Sequence, residues 1–388
     1  MTATSRSSRA EALVTELMAS ADVHVNGDRP WDIRVHDPRF FDRMIRYGQL
    51  GIGEAYMEGW WDCEQIDEMS ARFIRANLHQ ESVRDPRFVG YYLRQRLKGV
   101  GRKALAYEVG EAHYDLSNDL FAAFLDDTMS YSCAYWHEAQ TLEEAQRAKL
   151  DLICRKLDLK PGMKVLEIGC GWGGWARHAA EHYGAEVVGI TVSKEQLAWA
   201  RERSVGLPVR FELMDYRDVS GSYDRVVSIA MFEAVGQKYF RTFMQTVERV
   251  LKPDGLFLLH SIVSNTPIEA AQSRWLNTYI FPNGELPSLA QVYKAAEGLF
   301  VAEAAHHLDG DYARTLAEWD RRFVTNWPQI EADFDQRFYR MWRFYLQISQ
   351  GIFTSRLCHL WQFVFSRDGI TCLDISRTGA TYPHADSR

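Results

Sequence analysis

Between residues 163 and 263 the chain alternates short apolar runs with amphipathic stretches, and few folds accept that alternation. MKVLEIG, AEVVGIT, VRFELMD, YDRVVSIAM and GLFLLHSIV read as buried strands. GGWARHAAEHYG, SKEQLAWARERS and YFRTFMQTVERVL read as helices between them, the first closed by Gly184 and the second with Ser193 placed as its N-cap. Strands joined by helical crossovers form a parallel sheet with helices on both faces, an α/β fold. Ligands of such sheets bind beyond the carboxyl ends of the strands, so the residues after each strand are the candidates for function. LWQFVFS at 360–366 reads as a further strand, and FDQRFYRMWRFYLQIS at 334–349 as a long aromatic and basic helix.

The loop after the first strand is EIGCGWGGWA, residues 167–176. Gly169, Gly171 and Gly174 satisfy GxGxxG, a pattern that dinucleotide enzymes share. Glu167 stands directly before these glycines, where a carboxylate suits a cofactor with a cationic amino end, such as S-adenosylmethionine. A pyrophosphate needs the opposite, bare backbone N–H groups at a helix N-terminus. No acid follows the second strand to take a ribose; Thr191 and Gln196 in ITVSKEQ stand there instead. That leaves both ligands open, and Glu167 tips the balance towards the methyl donor. MDYRD after the third strand supplies Asp215 and Tyr216 where an adenine is expected.

Residues 1–95 mix short helical patterns with glycine-rich turns, and a stretch at 96–110 reads as a linker before a domain at 111–388. Arg94, Arg96, Lys98, Arg102 and Lys103 fall within ten residues, either a solvated surface or a contact for anionic lipid headgroups. A net charge of -7 argues against a nucleic-acid binder. The six cysteines, at 63, 133, 154, 170, 358 and 372, show no CxxC pair and no zinc spacing, so they read as free thiols with no metal. The N-terminus has no signal-peptide core, and no run of about 18 apolar residues offers a membrane span. The expectation is a cytoplasmic protein, at most peripheral to a membrane.

HYDLSNDLF, MSYSCAYW, LEIGCGWGG, GITVSKEQ, MFEAVG and IFPNGELPS, in this order, resemble the cyclopropane-fatty-acyl-phospholipid synthases and the related mycolic-acid cyclopropane synthases. The resemblance runs from about residue 30 to the C-terminus. It implies a seven-stranded, Rossmann-like methyltransferase domain, with a smaller helical N-terminal domain for lipid binding and dimer formation. It implies transfer of a methylene group from S-adenosylmethionine to the cis double bond of an unsaturated phospholipid acyl chain. It further implies a bound bicarbonate as general base, a homodimer, and peripheral contact with the inner face of the cell membrane.

Carried over by motif, Cys133, Glu233, His260, Ile262 and Tyr312 would hold the bicarbonate, Ile262 through its backbone N–H. Tyr131 and Ser132 would close over the methionine part of the cofactor, with Glu167, Gly169, Cys170, Gly171, Thr191, Gln196, Asp215 and Tyr216 holding the rest. Each has a plainer reading: Cys133 as core thiol, His260 as a satisfied strand histidine, Tyr312 as packing. Nothing cationic adjoins Cys133 in sequence to make it a nucleophile. One departure stands out: the family's usual FEHVG is here FEAVG, with Ala234 in place of the histidine. That leaves open a methyltransferase giving a methyl- or methylene-branched acyl chain.

Overall fold

The computed structural model describes residues 3–78, 117–268, 274–282 and 284–369. The expected linker at 96–110, the basic cluster from Arg94 to Lys103, and Cys372 lie outside them. The chain divides into two compact units, and the division differs from 1–95 against 111–388. One unit takes Met1–Val100 together with Ile268–Gly284 and Tyr312–His359; the other takes Gly101–Pro267, Glu285–Asp311 and Leu360–Arg388.

The physical reason lies in what the N-terminal helices pack against. The Ile66–Arg75 helix buries Ile66, Met69, Ser70 and Ala71 against the long Gln336–Thr354 helix, capped by Asp335, whose side chain accepts from Phe338 N at 2.7 Å. Gly351 makes that approach possible, since a Cβ there would stand 2.4 Å from the Asp67 carbonyl oxygen. Gln347 Oε1 accepts from Ile66 N at 3.2 Å, and Gln350 Nε2 donates to Asp67 at 2.8 Å. Trp275 occupies the space over Gly53 and meets Phe344 edge-on at 4.8 Å. A two-residue ribbon, β1 (Arg34–Val35) with β2 (Trp61–Asp62), is tied to the same helix by Arg340, which donates to Trp61 O and Asp62 Oδ1. The apolar faces of the described N-terminal helices are thus completed by segments from far along the chain.

The second unit is a seven-stranded sheet: β3 (Lys164–Ile168), β4 (Glu186–Thr191), β5 (Val209–Leu213), β6 (Tyr223–Ile229), β7 (Leu251–Ser264), β8 (Val301–His307) and β9 (Cys358–Ser366). Their lateral order is β5-β4-β3-β6-β7-β9-β8. The five strands read from the sequence are mutually parallel, as their crossovers demand, and β8 pairs antiparallel with β9. Gly184 closes its helix at φ 66, and Ser193 Oγ caps the next by accepting from Gln196 N at 3.2 Å.

Successive strand residues face opposite sides of a sheet, and each side has its own core. Leu166, Ile168, Val226, Phe257, Leu259, Phe363 and Phe365 lie in one, with the Phe240–Val250 helix. Val165, Val227, Leu256, Leu258 and Val364 lie in the other, with the Leu142–Lys156 and Gly174–Tyr183 helices. By the same alternation Glu167, His260, Ile262 and Gln362 belong to the second face. The chain leaves β3 for β4 on one side and later returns to β6 on the other, so β3 and β6 flank the switch point.

Candidate active site

A cavity opens at that switch point. Gly169 at φ 81, Gly171 at φ 53 and Gly173 at φ 76 turn the chain away from β3. Two of these positions also demand closeness: a Cβ on Gly169 would stand 2.7 Å from that of Met231, and one on Gly173 2.6 Å from the Phe211 ring. At Gly171 nothing lies within 4 Å, and its face is left to the cavity. Tyr131, Ser132, Glu167, Gly169, Cys170, Gly171, Thr191, Gln196, Asp215 and Tyr216 all line this space. Thr191 Oγ1 bonds Gln196 Oε1 at 2.9 Å, while both oxygens of Asp215 are held by Arg217 at 2.6 and 2.7 Å. The Tyr216 hydroxyl is buried without a partner.

Glu167 is 2% exposed, and its Oε2 has no hydrogen-bond partner. Burial pushes its carboxyl up to about 8, against the fields of Lys149 and Arg177. Lys149, itself 1% exposed and brought down to about 8 by burial, donates to Ser132 Oγ at 2.8 Å and also lines the cavity. Gln146, one turn earlier, donates to the carbonyls of Ser130 and Ser132 at 3.2 and 2.9 Å. Asp126 accepts from the amides of Thr128 and Ser130, both at 3.0 Å. The loop carrying Tyr131 and Ser132 is therefore clamped from both ends.

Neither Gln146 nor Lys149 stands out in the sequence by motif. Their signal is a polar stripe at 146, 149 and 156 on the helix face that also carries Leu142, Ile153 and other buried groups. An unpaired buried carboxylate, an open glycine turn and a buried lysine fit a zwitterionic amino-acid end joined to a nucleoside.

Of the residues expected around the base, the structure brings two into direct contact: Glu233 Oε1 accepts from Ile262 N at 2.6 Å. Glu233 Oε2 is buried and unpartnered, and burial raises its carboxyl to about 7. Its neighbour Ala234 lines the cavity. His260 is fully buried, with Nδ1 against Gln362 Nε2 at 3.1 Å and Nε2 without a partner. Cys133 is buried and its Sγ donates to Ala134 O at 3.1 Å. The charge of Lys149 is felt by Glu167 and His260 and responds to Cys133, while Cys133, Glu233, His260 and Ile262 do not themselves line the cavity. Tyr312 belongs to the helical unit, where its ring meets Phe353 at 4.5 Å and Trp319 at 6.1 Å.

The model of the mycolic acid cyclopropane synthetase family matches residues 102–363. The cyclopropane-fatty-acyl-phospholipid synthase of Escherichia coli (strain K12) is 46% identical over 365 residues, 94% of this chain and 95% of that protein. The tuberculostearic acid methyltransferase UfaA1 of Mycobacterium tuberculosis is 35% identical, covering 86% of this chain and 83% of its own. The crystal structure of mycolic acid cyclopropane synthase CmaA1 complexed with SAH and CTAB superimposes with a TM-score of 0.64 at 33% identity, covering 67% of this chain and 98% of that one.

Sheet order, glycine turn and terminal carboxylate together define an S-adenosylmethionine-dependent methyltransferase. S-adenosylmethionine, when bound, supplies an electrophilic methyl group on a sulfonium. Within that class the chain belongs to the mycolic acid cyclopropane synthetase family.

Proposed function

We propose that the protein transfers a methylene group from S-adenosylmethionine to the cis double bond of an unsaturated acyl chain in a membrane phospholipid, closing a cyclopropane ring with bicarbonate as general base. The observation that carries this reading is the half-satisfied Glu233 carboxyl beside the cofactor cavity, one oxygen on Ile262 N and the other free. An alkene is a weak nucleophile, so the methyl must meet it in a site without water. Ring closure then needs a proton removed from the added methyl.

A carboxylate standing free beside the sulfonium would pair with it instead. Glu233, buried and titrating near neutrality, suits a second role: accepting the hydrogen of a bound hydrogencarbonate. His260 Nε2, also buried and unpartnered, suits one of its oxygens, and the family motif adds Cys133. Glu167 takes the ammonium of the cofactor, and the Ser132–Lys149 pair takes its carboxylate side.

The family resemblance carries the reading of a homodimer, and a phospholipid substrate that of peripheral attachment to the inner face of the membrane. Among the described residues no helix is long and apolar enough to cross a bilayer.

A second reading, a methyl- or methylene-branched product, is favoured by one feature: Ala234 lines the cavity where the family's usual histidine would stand. Incubation with labelled S-adenosylmethionine and vesicles of unsaturated phospholipid, followed by NMR of the extracted lipid, separates the two. Cyclopropyl protons are expected; vinylidene or methyl-branch signals alone would eliminate ring closure.

A further inference from the structure

Behind His260 a row of polar side chains crosses the sheet. In lateral order β7, β9 and β8 present His260, Gln362 and His306 on one face, with Gln362 and His306 directly opposite in the β8–β9 register. Lys156, at the end of the Leu142–Lys156 helix, lies over this row. Its Nζ meets Gln362 Oε1 at 2.7 Å and His306 Nδ1 at 2.7 Å. His260 and Gln362 are fully buried and Lys156 is 1% exposed. Both partners of this lysine are neutral groups, an unusual setting for a buried amine. Charged groups bearing on the row are Lys149 and Lys156 for His260, and Arg155 for Lys156. His306 in turn feels Lys156, His307 and His137.

The chemistry of the donors fixes every orientation in the row. Burial brings Lys156 down to about 7, and below that pH it is an ammonium with three hydrogens and no lone pair, which faces the amide oxygen of Gln362 and the unprotonated Nδ1 of His306. The Gln362 amide is thereby turned with its NH2 towards His260, 3.1 Å from Nδ1. An amide NH2 only donates, so His260 Nδ1 accepts and the ring hydrogen sits on Nε2, the buried atom with no partner.

We infer that Lys156 and Gln362 are positioning residues which hold His260 as the neutral Nε2–H tautomer, so that it presents a fixed hydrogen-bond donor to an oxyanion. This rests on the reading of His260 as a contact of the bound base. The burial of His260 and the two lysines facing it drive its pKa well down, which keeps the ring neutral. A neutral donor binds the oxyanion without protonating it, which an imidazolium beside a base would do. The row thus accounts for a lysine and a glutamine in the middle of an apolar layer, where two hydrophobic residues would pack at lower cost.

Gln362→Glu is the decisive variant. Its carboxylate still accepts from Lys156, but now also accepts from His260, and so demands the Nδ1–H tautomer. With histidine labelled in 15N, the His260 signals, identified by their loss in His260→Ala, report which ring nitrogen carries hydrogen. Below pH 7, where Lys156 is mostly an ammonium, the wild-type protein is expected to show Nε2–H, and Gln362→Glu to exchange it. In assays with S-adenosylmethionine and unsaturated phospholipid vesicles, kcat is expected to fall about 100-fold or more, while KM for S-adenosylmethionine moves by no more than about twofold. Should Gln362→Glu fail to fold, Lys156→Met serves: it frees the amide to turn, and a mixture of tautomers follows.

A wild-type ring carrying Nδ1–H, or a tautomer unchanged in both variants, overturns the inference. A different pattern falls on the reading beneath it: if Gln362→Glu exchanges the tautomer but His260→Ala turns over normally, His260 does not serve the base.

Discussion

Glu167 ties cofactor binding to a proton. At pH 7 a buried carboxyl that titrates at about 8 is mostly protonated. A ligand that brings an ammonium to the unpartnered Oε2 recruits the ionised form, so binding at pH 7 releases roughly 0.9 of a proton. A hydrogen bond between charged groups contributes about 1.5–3 kcal/mol. Ionising the acid one pH unit below its pKa costs about 1.4 kcal/mol of that.

Glu167→Gln keeps the shape and removes the charge. Its affinity for S-adenosylmethionine is therefore expected to be roughly 10–150-fold weaker at pH 8.5, with the gap narrowing by about tenfold at pH 7. Isothermal calorimetry in buffers of different ionisation enthalpy reads both the affinity and the proton count. Lys149, brought down to about 8 in the same pocket, also titrates here. The Glu167 charge bears on it in turn, so the difference between the two proteins reports the Glu167–Lys149 pair. Equal proton release from both, or an affinity gap that does not change with pH, would refute the assignment.

Glu233→Gln is expected to lower kcat by about 10²–10³ and leave cofactor affinity unchanged; calorimetry alongside single-turnover rates reads this, and the opposite pattern would remove Glu233 from the chemistry. The acid limb of the wild-type pH–rate profile is expected near 7, where Glu233 ionises, and to vanish from the residual activity of that variant. Without cofactor, Glu167 binds its proton more tightly folded, at about 8, than unfolded, at the ordinary 4.5. Its contribution to stability is thus complete below pH 4.5 and is lost as pH rises to about 8, at up to about 1.4 kcal/mol per unit. Melting curves of wild type against Glu167→Gln are expected to diverge over that window, in favour of the variant. Gly169→Ala combines φ 81 with a clash 2.7 Å from the Met231 Cβ. It is expected to cost about 1–3 kcal/mol in denaturant melts and to weaken cofactor binding.

What the sequence made legible is what periodicity and strand ends encode. The parallel strands, the capped helices and eight of the ten cavity residues follow from runs of apolar residues and from the positions just after them, while Tyr131 and Ser132 came only from the resemblance of MSYSCAYW to the family. The strand Val301–His307 escaped because VAEAAHH is rich in alanine and histidine and lies at the sheet edge, where only one neighbour and little burial impose a pattern. The division into units escaped because packing between Ile66–Arg75 and Gln336–Thr354 joins residues almost 300 positions apart, roughly the span from Ile66 to Gln347. Gln146, Lys149, Lys156 and Gln362 escaped for a third reason. Each is a polar residue inside an apolar face, and a sequence offers no way to tell a buried lysine from one whose stem merely crosses the surface.

Two buried carboxyls at neighbouring strand ends illustrate how environment divides labour between identical groups. Burial raises both, Glu167 to about 8 and Glu233 to about 7. Around Glu167 two cations, Lys149 and Arg177, already oppose that rise, and the carboxyl still titrates high. One further positive charge on its free oxygen is enough to ionise it, so it is poised for a cationic ligand. Glu233 has no cation among the groups that shift it, only the Ile262 amide, its own backbone and Ser261. Without cofactor it is close to half-ionised at neutral pH, and a sulfonium brought near would favour the ionised form, the one that accepts a hydrogen. Such a group can accept a hydrogen from a bound acid and hold it without surrendering its own place on the strand, the property required next to a base that must act once per ring closed.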